Sequence, residues 1–188
     1  LHRPSPAGTI VVGQPAHAWL SGQIARAWAE PFAPREEVCL AAEQHDIAWT
    51  GWERSPERDP ETGLPYTFSA LPRLRRLELW SGAAALLLPQ SRYAALLVSL
   101  HGTLLVERFP PDGDEDVQRA LAGYLERERD FQARVLDSLR RDPRYGPHTT
   151  PEAVEENREL IFTWDGLSLA VVHGVTGEKS AAGHSLGA

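Results

Sequence analysis

The chain has 188 residues, of which 42% are hydrophobic and 24% charged, a balance typical of one folded domain rather than of a disordered chain. Its net charge of −7 argues against non-specific binding to nucleic acid or to an anionic membrane, so a small molecule is the expected partner, with a homo-oligomer left open. The single cysteine, Cys39, excludes an internal disulfide and a thiolate-rich zinc site and favours a reducing, cytoplasmic setting.

Helical periodicity dominates the chain, and GTIVVG at 8–13 is the best strand signal. The predicted helices cover 15–30, a stretch that begins near Pro34, 73–88, 91–108, 115–141 and 150–172. A proline-rich segment at 50–72 predicts a long loop after the second helix, and a loop of this length is often a lid. The small, polar tail at about 176–188 is expected to be flexible. The sequence therefore predicts an all-α single domain over 1–188.

Separate predicted helices each place a metal-capable side chain on an otherwise apolar face. His17 lies on the first helix, the adjacent pair His45 and Asp46 on the second, and Asp165 on the last. His101 on the fourth helix adds a fifth such residue. A carboxylate in a helical core is costly unless a cation or hydrogen bonds compensate it. Imidazole and carboxylate ligands together suit a divalent ion such as Mn²⁺, Fe²⁺, Co²⁺, Ni²⁺, Zn²⁺ or Mg²⁺.

The order His…His-Asp…Asp resembles the HD superfamily of metal-dependent phosphohydrolases. The stretches QPAHAWLSGQIARAW, HDIAWTGWE, SLHGTLL and WDGLSLAVV resemble, more specifically, a bacterial family known as domain of unknown function 3891, from about residue 10 to residue 172. The resemblance implies an HD-like helical bundle whose metal ligands are His17, His45, Asp46 and Asp165. Many hydrolytic HD proteins continue His-Asp-x-Gly-Lys, whereas Trp49 stands here in place of the lysine.

The resemblance also implies a function, which is hydrolysis of a small phosphorylated metabolite or nucleotide by a metal-activated water. Asp46 is expected to bridge the ion and the water, and His101 to donate a proton or to help hold a second ion. The candidates for substrate binding are Trp49, Trp52, Glu53 and Arg54, since they follow the His-Asp pair directly. Arg58 and Arg92 are further candidates for contact with a phosphate.

Other interpretations of the same residues remain open. His17 and His101 could be hydrogen-bonded core histidines, the tryptophans could anchor the loop, and Glu53 could be a solvated loop residue. Two further functions are an HD-fold di-iron oxygenase and a non-catalytic module that binds a metal or another ligand. The number and identity of the bound ions would distinguish the oxygenase from the hydrolase.

Overall fold

The computed structural model describes residues 1–109 and 114–174 in full, and beyond them the backbone of two short strands. In chain order the elements are β1 (His2–Ser5), β2 (Gly8–Val11), α1 (Gln14–Ala27), α2 (Arg35–Gln44), α3 (Trp49–Glu53), α4 (Arg73–Ser81), α5 (Ala83–Leu87), α6 (Arg92–Arg108), α7 (Glu115–Arg140), a 3₁₀ turn (Gly146–His148), α8 (Pro151–Val172), β3 (Ser180–Ala181) and β4 (His184–Ser185).

The predicted all-α class is confirmed, because helices account for most of the chain. The strand predicted at 8–13 is β2, which pairs antiparallel with β1 in a hairpin ahead of α1. Much of the predicted flexible tail lies outside the described residues. Within the described ranges, no helix combines the length and the apolar character needed to cross a bilayer.

Three predicted boundaries differ from the structure. The helix predicted over 73–88 is divided at Gly82, which caps the end of α4 and precedes α5, consistent with the low helix propensity of glycine. The first helix ends at Ala27 rather than at residue 30, since Pro31 disfavours helical backbone in the residue before it. The loop predicted at 50–72 starts inside the short helix α3.

The core lies where α1, α2, α6 and α8 pack together, and α7 covers the outer side of α6. Its largest fully buried side chains include Trp164, Tyr93, Leu97, Ile161 and Leu139. The amide of Asn157 ties three segments together by donating to the carbonyl of Ala33 at 2.8 Å and to the hydroxyl of Tyr93 at 2.9 Å. This packing brings residues from both ends of the chain to one place.

The helices α1 and α2 approach each other closely at Gly22. A Cβ atom added to Gly22 would lie 2.5 Å from Cβ of Glu43 and 2.9 Å from its Cα. Real Cβ atoms do not approach backbone so closely, so the absence of a side chain at Gly22 sets the separation of the two helices. His17 on α1 and His45 at the end of α2 depend on this separation for their mutual distance.

We expect Gly22→Ala to destabilise the fold by about 1–3 kcal/mol, because overpacking forces neighbouring backbone apart. Chemical denaturation monitored by circular dichroism measures the change. Gly51→Ala is the matched control, since a Cβ there meets nothing within 4 Å, and it should leave the stability unchanged or raise it by up to about 1 kcal/mol. Equal stability of the two variants would contradict the close approach.

Candidate metal centre

Five metal-capable side chains meet in the interior, although 148 positions separate the first from the last along the chain. His17 comes from α1, His45 caps α2, Asp46 follows it in the turn, His101 comes from α6 and Asp165 from α8. Each is at most 8% exposed. The structure therefore brings together all four predicted ligands and His101, the predicted acid.

Hydrogen bonds fix the orientation of the His17 ring. The Ser168 hydroxyl donates its one proton to the carbonyl of Asp165 at 2.8 Å, so it accepts from Nδ1 of His17, also at 2.8 Å. A neutral His17 then carries its lone pair on Nε2, which lies 2.8 Å from Oδ2 of Asp46. Two electron pairs cannot face each other at this distance, so a cation or a proton is required between them.

His45 repeats this arrangement. Its Nδ1 donates to the carbonyl of Ala42 at 2.8 Å, which directs Nε2 into the site. That Nε2 atom lies 3.6 Å from Oδ2 of Asp46 and 3.5 Å from Oδ1 of Asp165, and it is buried without a hydrogen-bond partner among the described residues. Metal-binding histidines typically donate their other ring nitrogen in this way.

His101 and His17 lie near different carboxylate oxygens of Asp165. Its Nε2 is 3.5 Å from Oδ2 of Asp165, and neither of its ring nitrogens has a hydrogen-bond partner in the part of the chain that the structure describes. The His45 and His101 rings pack edge to face, with centroids 5.0 Å apart. A buried imidazole without a close hydrogen bond is costly in a core, and here only the carboxylate of Asp165 compensates it.

The charges of the cluster are strongly coupled. Burial would lower the pKa of His45, but the carboxylates of Asp46 and Asp165 outweigh burial and raise that pKa to about 9. Burial would raise the pKa of both carboxyl groups, yet the surrounding imidazoles hold the pKa of Asp46 and of Asp165 below the usual range. Both acids are therefore ionised at neutral pH and place two negative charges in the interior.

The donor set fits a divalent cation. One ligand atom from each of His17, His45 and Asp46, and likewise one from each of His45, His101 and Asp165, lie within 4.8 Å of one another. Ligands bound at about 2.1 Å to one ion are separated by about 3.0–4.2 Å. Two carboxylates with neutral imidazoles carry a charge of −2, which a divalent ion balances and which a single shared proton does not.

A cavity of about 420 Å³ opens onto this cluster. Its size is that of a small-molecule site. The walls are largely apolar and come from α4, α6, α8 and the loop before α4; they include Phe68, Leu77, Trp80, Leu105, Val106 and Leu169. Outside the five clustered residues, Gln14, Arg73 and Arg76 contribute polar side chains to the lining, and Trp80 contributes its indole.

The four predicted substrate-binding residues lie beside this cavity rather than in it. Trp49 and Trp52 are buried against Leu71 and, together with Glu53, line a smaller neighbouring cavity of about 190 Å³. Glu53 accepts a hydrogen bond from the backbone of Gln14, and burial raises its pKa. Arg54 is exposed at the end of α3 and lines neither cavity.

The sequence prediction missed Ser168, Arg73 and Arg76. Ser168 follows Asp165 by three positions on the same helix face, a spacing that could have marked it as a partner. Arg73 and Arg76 share a face of α4 with Leu77 and Trp80, so an apolar stripe interrupted by two cations was the available signal. The arginines proposed instead are engaged elsewhere: Arg58 donates to the carbonyl of Gly63 and Arg92 to Asp142.

Comparison with known proteins gave one result. A family model described as protein of unknown function DUF3891 matches residues 1–187. A search of curated proteins and a search of solved structures found no match.

The raised pKa of His45 predicts how the stability of the metal-free protein, kept free of metal by a chelator, depends on pH. Because this pKa is about 9 in the folded protein and about 6.5 in an unfolded chain, the stabilisation is complete below pH 6.5 and is lost as the pH rises through 9. The expected loss is about 3 kcal/mol. Denaturation of the chelated protein at several pH values measures it.

The variant His45→Gln provides the reference, since it removes this titration and keeps a polar side chain. The difference in stability between the wild type and this variant should shrink from pH 6.5 to pH 9. A difference that stays constant across this interval would contradict the coupling of His45 to the two carboxylates.

Proposed function

This chain belongs to the DUF3891 family, and we propose that it is a divalent-metal-binding protein that hydrolyses phosphate esters of a small molecule. The observation that supports metal binding is the orientation of two buried imidazoles. His17 and His45 each commit Nδ1 to a neighbour and direct Nε2 at ionised carboxylates. A cation accepts electron pairs from all of these groups at once, which is why this geometry favours metal binding.

The ligands would be His17, His45, Asp46 and Asp165, the four residues whose order resembles the HD superfamily. Their position on α1, directly after α2 and on α8, around one cavity, supports membership in that superfamily as part of the proposal. A bound divalent ion supplies Lewis-acid chemistry, which lowers the pKa of water and stabilises negative charge on a phosphoryl group. The low-dielectric walls of the cavity strengthen such electrostatic effects.

The remaining chemistry is assigned to two side chains of the cluster. The Asp46 carboxylate is ionised and borders the cavity, so it can accept a proton from the attacking water. His101 also lines the cavity, and Asp165, 3.5 Å from its Nε2, is the one carboxylate that its ring faces among the described residues. It can therefore donate a proton to the departing oxygen. The loop before α4 contributes Phe68 and closes one side of the cavity.

A single ion is favoured over the two irons of an oxygenase. The two possible ligand groups share His45. Because Nδ1 of His45 donates to the backbone, only Nε2 is left to bind a metal, and it can bind no more than one ion. The groups therefore overlap instead of forming two independent sites. A non-catalytic binding module would use the same metal ligands. Only a measurement of hydrolytic activity therefore distinguishes such a module from a hydrolase.

We expect about one divalent ion per chain in protein purified without a chelator or a nickel column. His45→Ala and Asp165→Asn should both lose it, because each removes a central ligand. Elemental analysis of the purified proteins gives the stoichiometry and the identity of the ion. His173→Ala is the matched control, since His173 is an exposed histidine at the end of the helix that carries Asp165.

Unchanged metal content in folded His45→Ala would contradict the assigned ligands. A content of two irons per chain would favour the oxygenase. Circular dichroism of each variant establishes that the fold is retained.

We expect His101→Gln to keep the metal and to lower kcat for phosphate-ester hydrolysis by about 10²–10⁴-fold, the usual contribution of a positioned acid. A panel of phosphomonoesters and phosphodiesters with added Mn²⁺ identifies a substrate on which to measure the change. Full activity of the variant would exclude His101 as the acid. A wild-type protein that binds metal but hydrolyses no member of the panel would favour the binding module.

A further inference from the structure

Two arginines line the cavity beside the His/Asp cluster. Arg73, Arg76, Leu77 and Trp80 recur at helical spacing along α4, and all four line the 420 Å³ cavity. Arg75, between them, lies on another side of the helix and pairs with Glu78 at 2.8 Å and Glu57 at 3.5 Å. The same helix therefore carries one arginine used at the surface and two directed to the cavity.

The two cavity arginines have no carboxylate partner in the part of the chain that the structure describes. Within 4.0 Å, no ion pair joins Arg73 or Arg76 to any acid in residues 1–109 and 114–174, and the buried Nε of Arg76 lacks a hydrogen-bond partner there. A shortage of acids does not explain this, because the chain has 26 acidic residues against 19 basic ones. Elsewhere in the chain arginines do pair, as Arg108 does with Glu159 at 2.7 Å.

The arrangement is also electrostatically unfavourable in the absence of an anion. Burial and the neighbouring charge of Arg73 lower the pKa of Arg76. The first turn of α4 contains no acidic residue, although the amino end of a helix favours negative charge. The guanidinium of Arg76 is nevertheless held in place over the Phe68 ring, 4.9 Å from its centroid. A pair of cations without a carboxylate partner among the described residues, one of them held over an aromatic ring, is suited to an anionic group.

The other side chains of the cavity wall indicate what kind of molecule the anionic group belongs to. Leu77, Trp80, Leu105, Val106 and Leu169 surround the space between α4 and the His/Asp cluster. These side chains offer no hydrogen bonds to a sugar or another polyhydroxylated body, apart from the indole N–H of Trp80. They favour an aliphatic or aromatic body of about the size that 420 Å³ accommodates.

We propose that Arg73 and Arg76 bind the oxyanion of an amphipathic small molecule, a phosphate or phosphonate on an apolar body, which occupies the cavity beside the His/Asp cluster. The pair sets the specificity of the site, since guanidinium groups bind tetrahedral oxyanions with charge-assisted hydrogen bonds. That the ligand is a substrate rests on the proposed function, whereas its binding by the two arginines does not.

The test uses phenylphosphonate, a non-hydrolysable probe with an oxyanion and an aromatic body. Isothermal titration calorimetry measures its affinity for the purified full chain and for Arg73→Gln, Arg76→Gln and Arg75→Gln. We expect each cavity variant to bind at least about tenfold more weakly, because a charge-assisted contact is lost. Arg75→Gln should match the wild type, and either cavity variant tests the proposal if the other fails to fold.

Two comparison ligands distinguish the contribution of the oxyanion to the binding affinity from that of the apolar body. Benzyl alcohol lacks the oxyanion and should bind much more weakly than phenylphosphonate, with no dependence on the arginines. Inorganic phosphate lacks the body and should also bind more weakly. The proposal is overturned by equal affinities of the three arginine variants, by equal affinity for benzyl alcohol or inorganic phosphate, or by no phenylphosphonate binding at millimolar concentration.

The same titrations in a His45→Ala background distinguish this inference from the proposed function. There the ratio between the affinities of the Arg75→Gln and Arg76→Gln variants should persist. If the wild-type protein never contains metal and the ratio still persists, the metal proposal is overturned and the anion site is left intact. Metal bound by the predicted ligands, with no effect of either arginine, would overturn the anion site alone.

Discussion

The structure depends on one electrostatic requirement: two ionised carboxylates in the interior must be compensated. Asp46 and Asp165 are each at most 8% exposed and stay ionised because imidazoles surround them. Burying an uncompensated carboxylate costs far more than the net stability of a domain of this size. Protonation of His45 offsets part of the charge, and a divalent ion offsets all of it. The four helices that meet here are therefore packed around a group of charges that calls for a cation.

Small contacts outside the cluster determine what it can do. The Ser168 hydroxyl and the Ala42 carbonyl each engage Nδ1 of a histidine, and so direct Nε2 of His17 and His45 to the same point. Without them either ring could turn over and act as an ordinary core histidine. The close contact of α1 and α2 at Gly22 holds the two rings at a centroid distance of 5.1 Å. Orientation by such neighbours distinguishes a preorganised ligand set from polar residues that happen to be buried.

The parts of the site that the sequence predicted are those in which residue type conflicts with position. A histidine or an aspartate on an apolar helix face is costly, so a single sequence is enough to single out His17 and Asp165. The helical periodicity likewise predicts the all-α fold. Arg73 and Arg76 are not singled out in this way, because arginine is ordinary on a helix surface and their direction depends on how α4 packs against its neighbours. Sequence proximity to Asp46 does not bring Arg54 into the cavity, because Arg54 lies exposed at the end of α3.

Charges on the two sides of the cavity are coupled through the space between them. Without a metal, protonation of His45 offsets the charge of the two carboxylates only in part, and the remaining negative charge would repel an oxyanion that the arginines of α4 attract. A divalent ion neutralises that cluster, so the whole cavity becomes attractive to an anion. Because coupling between two bound ligands is reciprocal, an oxyanion on Arg73 and Arg76 must strengthen metal binding by the same factor. An acid-rich chain with a net charge of −7 thus contains a pocket whose preference for anions depends on the cation beside it.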